Sequence, residues 1–183
     1  MSESNITKRA LADAMKTLMA EQPLSKITVG DVCERCGMSR KGFYYHFKDK
    51  YDLVNWVFYE EFIASVLNRT YVSPWEFFDD ICLYFYENRA FYINAFQVEG
   101  QNSFVEYFSV FMQSVVVHYL DACFKGNEHD DFYTAFFTDA FRVAIIKWLR
   151  ENAQIDPTAF VGLLRGAVDG LAQHARNNPL PAE

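Results

Sequence analysis

The chain has 183 residues, 51% hydrophobic and 17% aromatic, with a formal net charge of −7. That composition excludes a disordered chain, no apolar run reaches the length of a membrane span, and no N-terminal segment has the form of a secretory signal. The charge is divided: residues 1–50 carry a net +3 and the rest a net −10, so any affinity for a polyanion is expected in a small basic head and not in the acidic body. Cys33, Cys36, Cys82 and Cys123 lack the spacing of a disulfide scaffold and suit a reducing cytoplasm.

In chain order, the first helix opens at Ser4 or Thr7 and ends near residue 21, before Pro23. Its apolar stripe is Ile6, Ala10, Leu11, Ala14, Met15 and Leu18. Lys8 and Arg9 near its start oppose the helix dipole, a conflict that solvent or a nearby phosphate relieves. Thr28 is placed to cap a short helix over residues 29–35, whose apolar face is Val29, Val32 and Cys33. Gly37 supplies the positive φ of a tight turn, Met38 plugs it, and Ser39 caps a second short helix over residues 40–47. Two short helices joined through a glycine turn have the form of a helix-turn-helix.

The second of these helices carries the chemistry. Phe43 and Phe47, four apart, form an inward pair. Arg40, Lys41, Tyr44 and Tyr45 then face outward, with Ser39, His46 and Lys48 beside them. Cations that reach guanine edges or phosphates, next to tyrosine hydroxyls that reach phosphates, suit a reader of duplex DNA. The plainer alternative is a solvated basic helix with aromatic filler.

The run GMSRKGFYYHFKDKYDL, residues 37–53, closely resembles the recognition segment of the TetR family of transcriptional regulators. Lys41 stands where that family often has Gly or Pro, and Gly42 where it often has Thr. The base contact carried over to Gly42 therefore has no side chain behind it. The resemblance implies an all-α fold, with a helix-turn-helix DNA-binding head over residues 1–50. Residues 51–183 would be a helical body for effector sensing and dimerisation. It implies binding of a palindromic operator as a homodimer, without a cofactor. Arg40, Lys41 and Tyr44 would contact bases; Thr28, Ser39, Tyr45, His46, Lys48 and Lys50 would hold phosphates. Repression is the mode it implies first, with activation through a protein co-effector as the alternative. Residues 43–62 and 87–104 also look like the branch of this family that includes activators of dihydroxyacetone kinase operons.

Beyond the head, Asp49 caps a helix running to about residue 69, with Leu53, Trp56, Val57, Ile63, Ala64 and Leu67 inward. At 1.5 Å per residue it would span about 30 Å. Ser73-Pro74 opens a helix to about residue 88, followed by a shorter one over 89–97. Gly100 breaks the chain, and Asn102 or Ser103 caps a long helix that ends near Gly126-Asn127. Another runs from Asp130 or Asp131 to about residue 152, with Phe132, Phe136, Phe137, Ala140, Phe141, Ala144, Ile145 and Trp148 inward. Asp156-Pro157 starts the last, which ends near residue 176.

On that last helix Gly162, Gly166 and Gly170 form a stripe beside Leu163. Each glycine there costs about 0.8–1 kcal/mol relative to Ala, so something is expected to approach closely. One reading is a two-fold dimer contact shared with Phe141, Ile145 and Trp148 of the preceding helix. The other is close packing within one subunit. Tyr84, Phe91, Tyr92, Phe96, Phe108, Phe111 and Phe137 read either as an aromatic effector pocket or as plain core. Gln101, Asn102 and His118 are polar candidates to orient a ligand. The effector itself, a small molecule or a protein, is not specified.

Cys33-x-x-Cys36 has no second ligand pair at zinc spacing, so no metal is expected. His46, His118, His129 and His174 lie far apart, and there is no nucleophile elbow, P-loop or dinucleotide fingerprint. These absences argue against an enzyme. The rival class is a helical adaptor or redox sensor built around the two cysteines.

Overall fold

Thr28, Ser39 and Asp49 cap helices where the sequence places them, while Ser4 and Thr7 lie inside the first helix, which begins at Glu3. The computed structural model describes residues 3–124 and 130–177. Among these, every regular element is helical. Helix α1 (Glu3–Glu21) leads through a 3₁₀ turn (Leu24–Lys26) to α2 (Val29–Cys36) and α3 (Arg40–His46). Helix α4 (Lys50–Phe58) runs without a break through a π turn (Tyr59–Ile63) into α5 (Ala64–Val66). Then come α6 (Pro74–Glu87), α7 (Arg89–Ala95), α8 (Phe104–Phe124), α9 (Asp130–Arg150) and α10 (Pro157–Asn177). The expected break at Gly126-Asn127 lies outside the described residues, as does His129.

The head packs α1 across α2, α3 and α4. Its core is Leu11, Met15, Leu18, Leu24, Ile27, Val32, Cys33, Phe43 and Phe47. Ile6 and Ala10, expected inside, are exposed; Ala12 and Met19 take the inner face instead. The stripe is therefore rotated relative to the one read from the sequence. Arg9 meets Glu60 at 3.2 Å, and the Lys8 ammonium lies 5.7 Å from the Phe47 and Trp56 rings. The cations at the start of α1 thus have partners within the chain.

The body is an antiparallel pair, α8 and α9, packed beside α4, α6 and α7, with α10 lying on α6. Phe58 of α4 is fully buried at its centre. Its ring is 5.6 Å from Phe85, 5.4 Å from Phe104 and 5.3 Å from Phe111. The long α4 rod expected to residue 69 departs from α geometry at the π turn and ends earlier. Trp148 stacks on Phe160 at 4.6 Å and donates its indole N–H to the Ile155 carbonyl at 2.8 Å, which seats α10 against the end of α9. Asn152 and Ala153, with φ of 58° and 47°, make the left-handed exit from α9 where the sequence supplies no glycine.

One side chain joins the body to the head at its least regular point. Asn94 of α7 accepts from the Leu24 N–H at 2.7 Å and donates to the Met19 and Gln22 carbonyls at 2.9 Å each. It satisfies the open end of α1 and the start of the 3₁₀ turn together. Asn94→Ala is expected to lower stability by about 1–3 kcal/mol, because it leaves part-buried backbone groups unpaired. Urea unfolding measures this; an unchanged midpoint would show that water replaces the amide.

Candidate nucleic-acid interface

Helix α3 has seven residues and cannot hold its own shape in isolation. Three local devices hold it. Gly37, at φ 69°, closes α2 by donating its N–H to Glu34, and the Met38 N–H reaches the Cys33 carbonyl at 2.8 Å. The Ser39 hydroxyl accepts from the Gly42 N–H at 3.1 Å and caps α3. Phe43 and Phe47 then anchor it, 5.8 Å apart, with Phe47 5.7 Å from Trp56. With that face buried, Arg40, Lys41, Tyr44, Tyr45 and Lys48 are exposed along one side. Tyr45 is 83% exposed, which for a tyrosine in a folded head leaves its whole edge open to a ligand.

The remaining residues expected to touch DNA divide. Ser39 is exposed, and its hydroxyl proton is not used by the cap. His46 is half-buried, edge-on to Tyr45 at 4.9 Å. Thr28 forms a full capping box with Asp31. Its hydroxyl donates to the Asp31 carboxylate at 2.8 Å and accepts from the Asp31 N–H at 3.2 Å. The Thr28 N–H, which also donates to that carboxylate at 2.8 Å, and then the Thr28 hydroxyl hold the Asp31 carboxyl below its ordinary pKa. Gly42 faces inward: a Cβ there would lie 3.2 Å from the Met38 methyl.

Lys50 corrects the sequence reading. Its ammonium donates to the carbonyls of Leu24 and Ile27 at 2.7 Å each and to Ser25 at 3.3 Å. All three protons are spent on the 3₁₀ turn, so none is left for a phosphate. Burial lowers its pKa, against the pull of Asp31 and Asp49. Cys33 is buried in the head core, where desolvation pushes its thiol up. The Cys36 thiol sits 3.2 Å from the Val32 carbonyl.

The aromatic set considered as an effector pocket is packed ring to ring. Tyr92, Phe96 and Phe108 are fully buried, and Phe91 and Phe137 nearly so. Phe96 lies 5.4 Å from Phe108, and Phe108 lies 6.3 Å from Phe111. The Tyr84 and Tyr92 hydroxyls meet at 2.6 Å, and Tyr84 also donates to Glu61 at 3.2 Å. Burial drives both phenols well above their ordinary pKa. Gln101, Asn102 and His118 are exposed and do not point into this cluster as a set. These rings serve as core.

The face expected to dimerise is also partly redrawn. Phe141, Ile145 and Trp148 are buried inside the subunit, Phe141 against Phe78 at 4.7 Å. They have no surface to offer a second copy. The exposed side of α9 carries Phe132, Phe136, Ala140 and Val143 instead, the first three of which the sequence places inside. On α10, Gly162, Leu163, Gly166 and Gly170 are exposed, and a Cβ on any of the glycines would meet only open space.

Two family models match the chain. One, described as bacterial regulatory proteins of the tetR family, covers residues 7–57. The other, described as a transcriptional regulator C-terminal region, covers residues 73–170. The chain belongs to the TetR family. A curated relative, the HTH-type dhaKLM operon transcriptional activator DhaS of Lactococcus lactis subsp. lactis (strain IL1403), is 28% identical over 102 residues. That match spans 54% of this chain and 54%, about half, of the relative. Among solved structures, the dihydroxyacetone kinase operon activator DhaS has a TM-score of 0.69 at 19% identity, covering 92% of this chain and 96% of that one. NalD, the secondary repressor of the MexAB-OprM multidrug efflux pump in Pseudomonas aeruginosa, has a TM-score of 0.58 at 20% identity, covering 92% and 97%. The fatty acid degradation regulator FadR from Bacillus halodurans follows at 0.56 and 14%, covering 84% and 93%. At such identities these structures speak for the TetR fold alone. No helix among the described residues is long and apolar enough to cross a membrane.

The two lysines flanking the end of α3 are expected to behave differently in this TetR head. Lys48→Ala should reduce the salt slope of duplex binding by about 1, as loss of a phosphate contact does. Lys50→Met should leave the slope unchanged and lower the thermal midpoint of the head. A reduced slope for Lys50→Met would return that residue to the phosphate set.

Proposed function

We propose that this chain is a cytoplasmic, homodimeric transcriptional regulator that binds a palindromic operator through α3, its head ending near residue 50. The observation that carries this reading is the exposed row Arg40, Lys41, Tyr44, Tyr45 and Lys48 on a helix whose opposite face is locked by Phe43 and Phe47. Arg40, Lys41 and Tyr44 take base edges; Ser39, Tyr45, His46 and Lys48 take phosphates. The dimer forms through α10 at Gly162, Leu163, Gly166 and Gly170, with Ala140 and Val143 of α9 alongside. Two heads about 34 Å apart then enter successive turns of one groove face.

Activation under a protein co-effector is the mode we favour. It is supported by the likeness to DhaS, named as an activator both as curated relative and as solved structure, and by an aromatic core that its own rings fill. Repression remains the second reading, supported by the shared fold of NalD, named as a repressor.

Selection from a random duplex pool at moderate salt is expected to recover an inverted repeat. Recovery of no sequence, also in cell extract, would overturn the DNA reading. A reporter driven by the recovered repeat then separates the modes: deletion of the gene lowers output for an activator and raises it for a repressor. Gly166→Leu is expected to weaken self-association by at least about tenfold, as an ill-fitting side chain at an interface centre does. Helix propensity favours the change, so folding should survive; an unaltered dimer in sedimentation would remove α10 from the interface.

A further inference from the structure

Gly30 stands in the first turn of α2, one element away from the recognition helix. Its Cα faces the Arg40 guanidinium. A Cβ built there would lie 2.6 Å from Arg40 Nη2 and 3.4 Å from its Cζ, with Thr28 Oγ1 at 3.3 Å. Contacts that short do not occur in proteins, so the guanidinium occupies the volume in which any other residue would carry its side chain. Helix geometry does not require the glycine: a helix interior prefers Ala by about 1 kcal/mol. The seat has an electrostatic side as well. Two cationic features meet there, the guanidinium and the N-terminal end of α2, and they oppose one another. Asp31, in the same first turn of α2, lies within electrostatic reach of the guanidinium: the Arg40 charge is among the causes that hold its carboxyl low, after its own bonds to Thr28. Both of those bonds go to Oδ2, and Asp31 and Arg40 do not form an ion pair, so Asp31 acts on Arg40 through its field.

We propose that Gly30 is a positioning residue for DNA reading: its bare Cα is the seat that fixes where the Arg40 guanidinium enters the groove. The inference rests on the DNA-binding reading above and deepens it. Arginine has a long, many-jointed side chain, and a guanidinium reads a guanine only when its fork is held in the plane of the base. A seat on the neighbouring helix restricts that freedom before DNA arrives, and so reduces the ordering left to do on binding. The residue at position 30 thus shapes specificity without touching a base.

The test is a double-mutant cycle on the palindrome recovered with the unaltered protein. Gly30→Ala displaces only the far end of a flexible side chain, so the fold and its thermal midpoint are expected to hold or rise. Affinity for the selected palindrome is expected to fall by about tenfold, the scale of one misplaced bidentate contact. Affinity for random duplex should hold, since phosphate contacts are untouched. In an Arg40→Ala background the same Gly30→Ala change should have no effect. An unchanged affinity for the palindrome would overturn the proposal. So would an equal loss with Arg40 already removed, which would mean that the new methyl meets DNA directly. Failure of the unaltered protein to select any palindrome would instead strike the underlying DNA reading, so the two failures are distinguishable.

Discussion

Everything this protein presents outward depends on how a seven-residue helix is held still. Helix α3 is far below the length at which a helix persists in water. Its order is borrowed from Phe43 and Phe47, both buried, and from hydrogen bonds at each end that close orphan groups. The Gly37 turn fixes its angle to α2, and the Thr28–Asp31 box fixes where α2 begins. Remove any one of these and the outward row of Arg40, Tyr44 and Tyr45 loses its register. A reader of DNA needs that register more than it needs stability, because groove contacts reward placement to a fraction of an ångström.

The head is not an independent bead on a string. Asn94 ties α7 to the end of α1 and the 3₁₀ turn, and Lys50 ties the start of α4 to the same turn from the other side. A third tie runs from Lys16 of α1 to Glu61, on to the Tyr84 hydroxyl, and from there to Tyr92. Glu61 lies in the π turn, the one place where the connecting rod departs from α geometry. Such insertions in a helix are local, tolerated strains that frequently mark working positions. The aromatic centre around Phe58 is close-packed, and close-packed interiors shift as units and do not deform smoothly. The bonded route from α7 to the head is Asn94, whose partners lie at the α1 terminus and the start of the 3₁₀ turn.

What could be read from the sequence followed from local chemistry. Thr28, Gly37, Ser39, Asp49, Ser73 and Pro74 sit at helix ends as their side chains and backbone preferences require. The outward row of α3 followed once Phe43 and Phe47 were assigned inward. What could not be read depended on neighbours distant in the chain. Lys50 looks like any basic residue after a recognition helix; only the fold brings the Leu24, Ser25 and Ile27 carbonyls to it. Helix α9 has apolar residues on nearly every side, so periodicity could not tell which face is covered. Phe132, Phe136, Phe141, Ile145 and Trp148 read as one apolar set, with the last three also read at a dimer contact. Packing on α6 and α10 buries those three within the subunit and leaves Phe132 and Phe136 exposed. The π turn has no signature in residue type at all.

The same distinction explains why the glycines of this chain differ in meaning. Gly37 is set by backbone conformation, since φ of 69° is one that side chains resist. Gly162, Gly166 and Gly170 have ordinary helical backbone and empty space before them. Nothing described within the subunit requires their smallness. Gly30 also has helical backbone, but its space is already filled, by the end of another residue's side chain. Sequence shows the same letter in each case. Only the surroundings separate a glycine that bends the chain from one that admits a neighbour, and the neighbour at Gly30 is the Arg40 guanidinium.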